Sequence, residues 1–288
     1  VSIAYLGESI TKGGNASGMF GVAPKMPVWT DMVTSALKAA YPKAKITSFS
    51  ASENGATTVQ ALKNLRTLCS AQKPDLVCIA GDIFDNEYEG LKNPEKTAST
   101  LRSIRSRYGV YACWGNHDLN EPILAGFTFR SANKDYDDPR MTQFLKDANI
   151  RLLNDETVLI DDRFYLTGRK DPSRCRKMDD TRKSPSQLTK SLDLRRPVIF
   201  MDHQPGELDE VASSGADLDL CGHTHDGQLF PLNIITSLVW ENSCGYLKKG
   251  NMHNIVTSGV GIWGPNMRTA TNSEICAITV HFSSQFAS

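Results

Sequence analysis

Neither sign of charge predominates in this 288-residue sequence: 32 Lys+Arg meet 32 Asp+Glu, so the formal net charge is zero. That balance excludes a strongly basic nucleic-acid binder, and no nucleic-acid-binding surface is evident. No run of about 18 apolar residues occurs, so no transmembrane segment is read. Val1–Leu6 is apolar but short, and Gly7 and Glu8 follow at once, which reads as a first strand and not a signal peptide. No C-x-x-C pair is present. The seven cysteines (Cys69, Cys78, Cys113, Cys175, Cys221, Cys244 and Cys276) are odd in number and scattered, which argues against a disulfide framework. Cys78, Cys113 and Cys276 sit in apolar runs and read as buried, reduced thiols. Histidine is also scarce, with six in all. What remains is an ordinary globular composition, 40% hydrophobic and 22% charged, in a chain long enough to bury a large core.

Short apolar runs alternate with helical spacings. Val1–Leu6, Lys45–Phe49, Leu76–Ala80 and Val110–Trp114 read as strands, the last two as strands buried on both faces. Trp29–Ala40, Thr57–Cys69 and Thr97–Tyr108 read as amphipathic helices. This β-α-β-α-β-α-β rhythm predicts an α/β fold with a mostly parallel sheet. Further strand-like runs (Leu152–Leu153, Thr157–Ile160, Phe164–Thr167, Val198–Met201, Leu218–Leu220, Ile255–Ser258 and Ile275–His281) have short, turn-rich linkers. They predict a second sheet on the first: an α-β-β-α sandwich of two mixed sheets, in a single domain over 1–288. Lys170–Lys190 is charged and nearly free of large apolar residues. It reads as a solvated loop or lid, with Arg174, Arg176, Lys177, Arg182 and Lys183 at its surface.

Four of the six histidines fall in short segments that follow strands. Leu76–Ala80 leads into Gly81-Asp82-Ile83-Phe84-Asp85-Asn86, and Val110–Trp114 into Gly115-Asn116-His117-Asp118. Val198–Met201 leads into Asp202-His203, and Leu218–Leu220 into Cys221-Gly222-His223-Thr224-His225. Ligands of open α/β sheets sit beyond the carboxyl ends of the strands, so four strands deliver Asp, Asn and His to one edge. Each segment alone has an ordinary reading as a turn or a helix cap. Together they form a carboxylate, amide and imidazole set that suits a divalent Mn, Fe, Zn or Co ion, one or two per chain. His223 and His225, two residues apart on an extended stretch, project to one side. His253 and His281 lie outside these segments and read as structural.

From about Pro74 to the C-terminus (about 74–288), the chain resembles the calcineurin-like metallophosphoesterases. That family reads D-x-H, G-D-x-x-D, G-N-H-[DE], a lone His and G-H-x-H, and four of the five blocks stand here in order. Ser258-Gly259-Val260-Gly261-Ile262-Trp263-Gly264-Pro265 followed by Arg268 resembles the bacterial branch that acts on phosphodiesters or lipid-linked pyrophosphates. The resemblance implies that Asp82 bridges two metals, that Asn116, His203 and His223 complete one site, and that His225 belongs to the other. It places His117 beside the scissile phosphate with Asp118 orienting it, and Arg268 at the substrate. It also implies that a metal-activated hydroxide attacks the phosphorus of a small phosphorylated substrate, a phosphodiester or phosphomonoester. Bacterial relatives often carry a membrane anchor, and unpaired cysteines fit a reducing compartment. The expected location is therefore cytoplasmic or membrane-associated in a bacterium.

The first block departs from the pattern. Gly7-Glu8-Ser9-Ile10 stands where D-x-H is expected; Glu8 can replace the Asp, but Ile10 cannot replace the His. Residues about 1–73 instead resemble SGNH (GDSL-type) hydrolases, through Ile3–Gly13, Trp29, Tyr41-Pro42 and Asn54–Thr58. That suggests a chimera joined near Pro74, with Ser9 as an alternative esterase nucleophile. No histidine has an Asp three residues before it, so the late D-x-x-H block of that family is missing. A metal-binding hybrid with little activity is the third reading.

Overall fold

The structure, a computed structural model, describes residues 2–6, 67, 71, 73–91, 93–121, 123–124, 127–128, 136–261, 268–269, 271 and 273–281. Glu8, Ser9, Ile10, the elements read at Trp29–Ala40 and Lys45–Phe49, and Ile262–Pro265 lie outside the described residues. So does the helix read over Thr57–Cys69, save for Thr67.

The strands are β1 (Ser2–Leu6), β2 (Leu76–Ala80), β3 (Val110–Cys113), β4 (Ile123–Leu124), β5 (Phe127–Thr128), β6 (Ile150–Leu152) and β7 (Glu156–Ile160). They continue with β8 (Phe164–Gly168), β9 (Val198–Met201), β10 (Leu218–Cys221), β11 (Gly245–Lys249), β12 (Met252–Val256) and β13 (Ile275–Thr279). One sheet runs β13-β1-β2-β3-β6; β13 is antiparallel to β1, and the other pairs are parallel. The second runs β11-β12-β10-β9-β8-β7, parallel in its centre and antiparallel at both edges. β4 and β5 form a separate hairpin.

Alternation along the strands sorts the side chains into layers. Leu76, Cys78, Ala80, Tyr111 and Cys113 of the first sheet pack against Phe164, Leu166, Ile199, Met201 and Leu220 of the second. The alternate residues Val77, Val110 and Ala112 pack outward on α1 (Pro94–Arg102) and α2 (Pro139–Asp147) through Leu101, Met141, Phe144 and Leu145. On the far side, Val198 and Phe200 meet Leu188, Leu208 and Val211. These last come from α4 (Pro185–Thr189) and α5 (Leu208–Ser213), which follow α3 (Pro172–Met178) along the chain. The fold is therefore the expected α-β-β-α sandwich of two mixed sheets. Cys78 and Cys113 are buried free thiols, as read from their apolar runs.

Several boundaries shift for local reasons. The helix read over Thr97–Tyr108 is α1, which begins three residues earlier: Asn93 accepts from the Lys96 amide, and Pro94 takes the first turn. It ends at Arg102, where Ser103 Oγ donates to the Thr100 carbonyl. The strand read at Ile255–Ser258 is β12, three residues upstream.

The larger correction is Lys170–Lys190. It is no solvated loop: it holds α3 and α4, each with Pro in its first turn and a side-chain cap from Asp171 or Ser184. Arg174, Cys175, Leu188 and Thr189 are buried. Among the described residues, the last helix is α6 (Leu232–Val239), which buries none of its residues and presents Ile234, Ile235, Leu238 and Val239 outward.

Candidate metal centre

β2 and β3 are neighbours in one sheet and β9 and β10 in the other, and packing of the two sheets brings their four carboxyl ends together. Gly81 (φ +80) turns the chain out of β2; a Cβ there would stand 2.7 Å from His203 Nδ1 and 2.6 Å from the Gly115 amide. A Cβ on Gly115 would collide with the Asp82 carboxylate. Two side-chain-free positions thus let the β2, β3 and β9 ends approach.

Three groups crowd one ring nitrogen. Around His203 Nε2 lie Asn116 Oδ1 at 2.9 Å, Asp82 Oδ2 at 3.1 Å and His223 Nδ1 at 3.2 Å. Ligand atoms of Asp82, His203 and His223 all lie within 4.8 Å of one another. A single proton on Nε2 cannot serve three acceptors, whereas a cation among them can. The other ring nitrogen of His203, Nδ1, donates to the Ala80 carbonyl at 2.7 Å. That is the outward hydrogen bond that orients a ligating imidazole and leaves Nε2 with its lone pair. Donor chemistry and geometry therefore fit one divalent ion at Asp82, Asn116, His203 and His223.

Electrostatics agree. Burial disfavours the charged form of His203, yet the Asp82 carboxylate outweighs it, helped by Asp171 and the Ala80 carbonyl, and pushes the ring up to about 10. Burial also works against the Asp82 carboxylate, but His203 and the His117 amide hold it well below the usual range. His223 is pushed down to about 3 by burial and by the charge on His203, so its ring is neutral. The pocket demands one positive charge, and a proton on His203 supplies it when no ion does. With the ring raised from 6.5 to about 10, an incoming ion must displace that proton throughout the neutral range. Apparent metal affinity should rise with pH toward 10 and fall about tenfold for each unit below it. Calorimetric Zn²⁺ titration in two buffers of different ionisation enthalpy should show about one proton released per ion at pH 7. Release of none would contradict a protonated His203.

The resemblance implies that Asp118 orients His117; in the structure the hydrogen bonds of its carboxylate go to backbone amides. Its carboxylate accepts from the amides of Asp82 (2.8 Å), Ile83 (2.8 Å), Phe84 (2.9 Å) and Gly115 (2.7 Å). It ties the β2 end to the β3 end. The His117 ring instead meets Asn86, whose Nδ2 lies 2.6 Å from His117 Nδ1. The His117 amide donates to Asp82 Oδ1 at 2.8 Å, so His117 is tethered directly to a ligand carboxylate.

The described residues set His225 apart from this cluster. Its Nδ1 lies 3.0 Å from Arg268 Nη2. Arg268 also donates to the Gly261 and Ser258 carbonyls and to Thr271 Oγ1. Its terminal nitrogens are thus engaged by protein atoms, where the sequence reading placed substrate.

Sequence reasoning missed Asn86, although it closes the same segment as Asp82. It also missed Trp240, whose ring lies edge-on to His223 at 5.5 Å. The network behind His203 was missed as well. Arg169, 1% exposed, donates to Asp202 Oδ2 and Glu207 Oε2, each at 2.7 Å. Arg182 reaches the same two carboxylates, and Asp171 accepts from Gln204 at 2.7 Å. The segment read as a solvated lid is therefore the brace of the His203 strand end.

The calcineurin-like phosphoesterase family matches residues 55–227, which include all four segments. Similar proteins include an uncharacterized metallophosphoesterase of Helicobacter pylori, 30% identical over 206 residues, covering 70% of this chain and 50% of that protein. One from Aquifex aeolicus is 28% identical over 211 residues, covering 73% of this chain and 74% of that protein. The UDP-2,3-diacylglucosamine pyrophosphatase LpxG of Chlamydia trachomatis is 22% identical over 209 residues, covering 61% of each. The chain spans half the length of the Helicobacter relative. It belongs to the calcineurin-like phosphoesterase family. The comparisons support this membership and lend none to the SGNH-like segment or the chimera.

Proposed function

We propose that this chain hydrolyses phosphate esters, diesters or monoesters of small substrates, with a divalent Mn, Fe, Zn or Co ion held by Asp82, Asn116, His203 and His223. The observation that carries the reading is the convergence of Asp82, Asn116 and His223 on one nitrogen of His203. The name of the Chlamydia relative, a pyrophosphatase, points to chemistry at phosphorus. When bound, the ion supplies Lewis acidity toward a phosphoryl oxygen and acidifies water.

The chain's own residues do the rest. The amide nitrogen of Asn86 can only donate, so His117 Nδ1 accepts and the ring proton sits on Nε2. That N–H is a donor for a phosphoryl or leaving oxygen. Its distance from the ligands is held by the His117 amide on Asp82. His203 is buried, and the Trp240 ring covers one side of the half-buried His223.

The purified chain should hydrolyse bis(4-nitrophenyl) phosphate. A chelator should abolish turnover, and Mn²⁺ should restore it. No chelator-sensitive turnover with any of the four metals would sink the reading and leave a metal-binding protein of little activity. His117→Ala should lower kcat by about 10²–10⁴-fold if the ring transfers a proton, with metal content unchanged. An unchanged kcat would remove His117 from the chemistry.

A further inference from the structure

We infer that His225 is not a metal ligand but the anchor of Arg268, and that the chain therefore takes one divalent ion and not two. This rests on the metal-dependent reading above and deepens it. A neutral imidazole has one nitrogen with a lone pair and one N–H, and a guanidinium has donors only. Arg268 Nη2 stands 3.0 Å from His225 Nδ1, so the lone pair of the ring is engaged at Nδ1 and its proton resides on Nε2. Neither nitrogen is left to hold a cation. His203 shows the opposite arrangement, its second nitrogen donating to a carbonyl.

The guanidinium is locked in place. Nη2 shares its two N–H among His225 Nδ1, the Gly261 carbonyl at 2.8 Å and, as the long arm of a bifurcated bond, the Ser258 carbonyl at 3.3 Å; Nη1 donates to Thr271 Oγ1 at 2.6 Å and the His225 carbonyl at 3.4 Å. Swinging away from His225 would break several of these bonds at once. Arg268 keeps its charge at any working pH, so the resident cation beside His225 is a side chain that also repels a second metal ion.

The test is metal stoichiometry. Metal-free full chain is titrated calorimetrically with Zn²⁺ or Mn²⁺, and the loaded protein is assayed for metal after gel filtration. One ion per chain is expected. His225→Ala should keep that stoichiometry and change the affinity by less than threefold, whereas His223→Ala should weaken it at least a hundredfold. A folding defect in His225→Ala is bypassed in the wild-type chain by imidazole ¹⁵N spectra. On adding Zn²⁺, His203 and His223 nitrogens should shift, and His225 should keep its Nε2–H tautomer. Two ions per chain, with one lost in His225→Ala or a zinc-induced shift at His225, would overturn the inference and leave metal-dependent hydrolysis standing. No bound ion would overturn both.

Discussion

Asp82→Asn should reduce metal affinity and phosphodiester hydrolysis by two to nearly four orders of magnitude while leaving the fold intact. The side chain is 3% exposed, and its Oδ2 lies 3.1 Å from His203 Nε2. An ion left without the Asp82 carboxylate in this buried site loses about 3–5 kcal/mol, the cost of a stranded buried charge, whereas the metal-free chain escapes that cost because His203 sheds its proton. Each 1.4 kcal/mol is about tenfold in affinity. The asparagine keeps an oxygen for the His117 amide, which Asp82 Oδ1 accepts at 2.8 Å, so the loop loses little. The check is zinc affinity by competition with a chromogenic chelator, alongside turnover of the nitrophenyl diester. Imidazole NMR of the metal-free variant gives an independent reading. Without the carboxylate, burial acts on His203 unopposed by its main attractor, and its pKa should drop from about 10 by several units. Wild-type affinity in this variant would show that the ion, if bound, sits elsewhere.

Asp118→Ala should destabilise the chain by about 3–5 kcal/mol, a large share of the 5–15 kcal/mol typical of a folded protein. Four amides from two strand ends lose their acceptor together: Asp82, Ile83, Phe84 and Gly115. An unpaired buried donor costs about 1–3 kcal/mol, and relaxation of the loop keeps the sum below four times that. For a chain of this size, the loss corresponds to a fall of about 10 °C in Tm. Asp118→Asn retains one accepting oxygen and should lose roughly half as much. Urea unfolding of the three proteins measures this. A variant within about 1 kcal/mol of wild type would mean that Asp118 does not organise the loop. Burial and the nearby Asp82 charge push the Asp118 carboxyl up to about 6 against the pull of its amide donors, so its ionised form is already costly.

The four segments that build the site were legible because each follows a buried strand and joins its ligand types within a few residues. Asp82, Asn116, His203 and His223 were all named from that pattern, and the packing of one sheet on the other brings them together. The supporting interactions were not legible, because their partners are far apart in the chain. The acceptors of the Asp82, Ile83 and Phe84 amides lie 34 to 36 positions downstream. The Arg169–Asp202 pair spans 33 positions, and Arg268 meets His225 across 43. Charge density was the signal that misled at Lys170–Lys190. A run rich in Arg, Lys and Asp ordinarily faces water, but here Arg182 turns inward onto Asp202, beside Arg169 just ahead of the run. Proline in the first turns of α3 and α4, with capping Asp171 and Ser184, was the local clue to helices there.

The amino-acid sequence by itself determined the layers of this protein and the short segments from which its candidate ligands come. Apolar alternation has a short period, and turn chemistry is local. Tertiary structure alone decided which of the named residues share a pocket. Asp82, Asn116, His203 and His223 converge on one point, whereas His225 Nδ1 meets Arg268. The physical reason is that a lone pair serves one partner at a time. Which partner it meets depends on how strands remote in sequence are brought side by side.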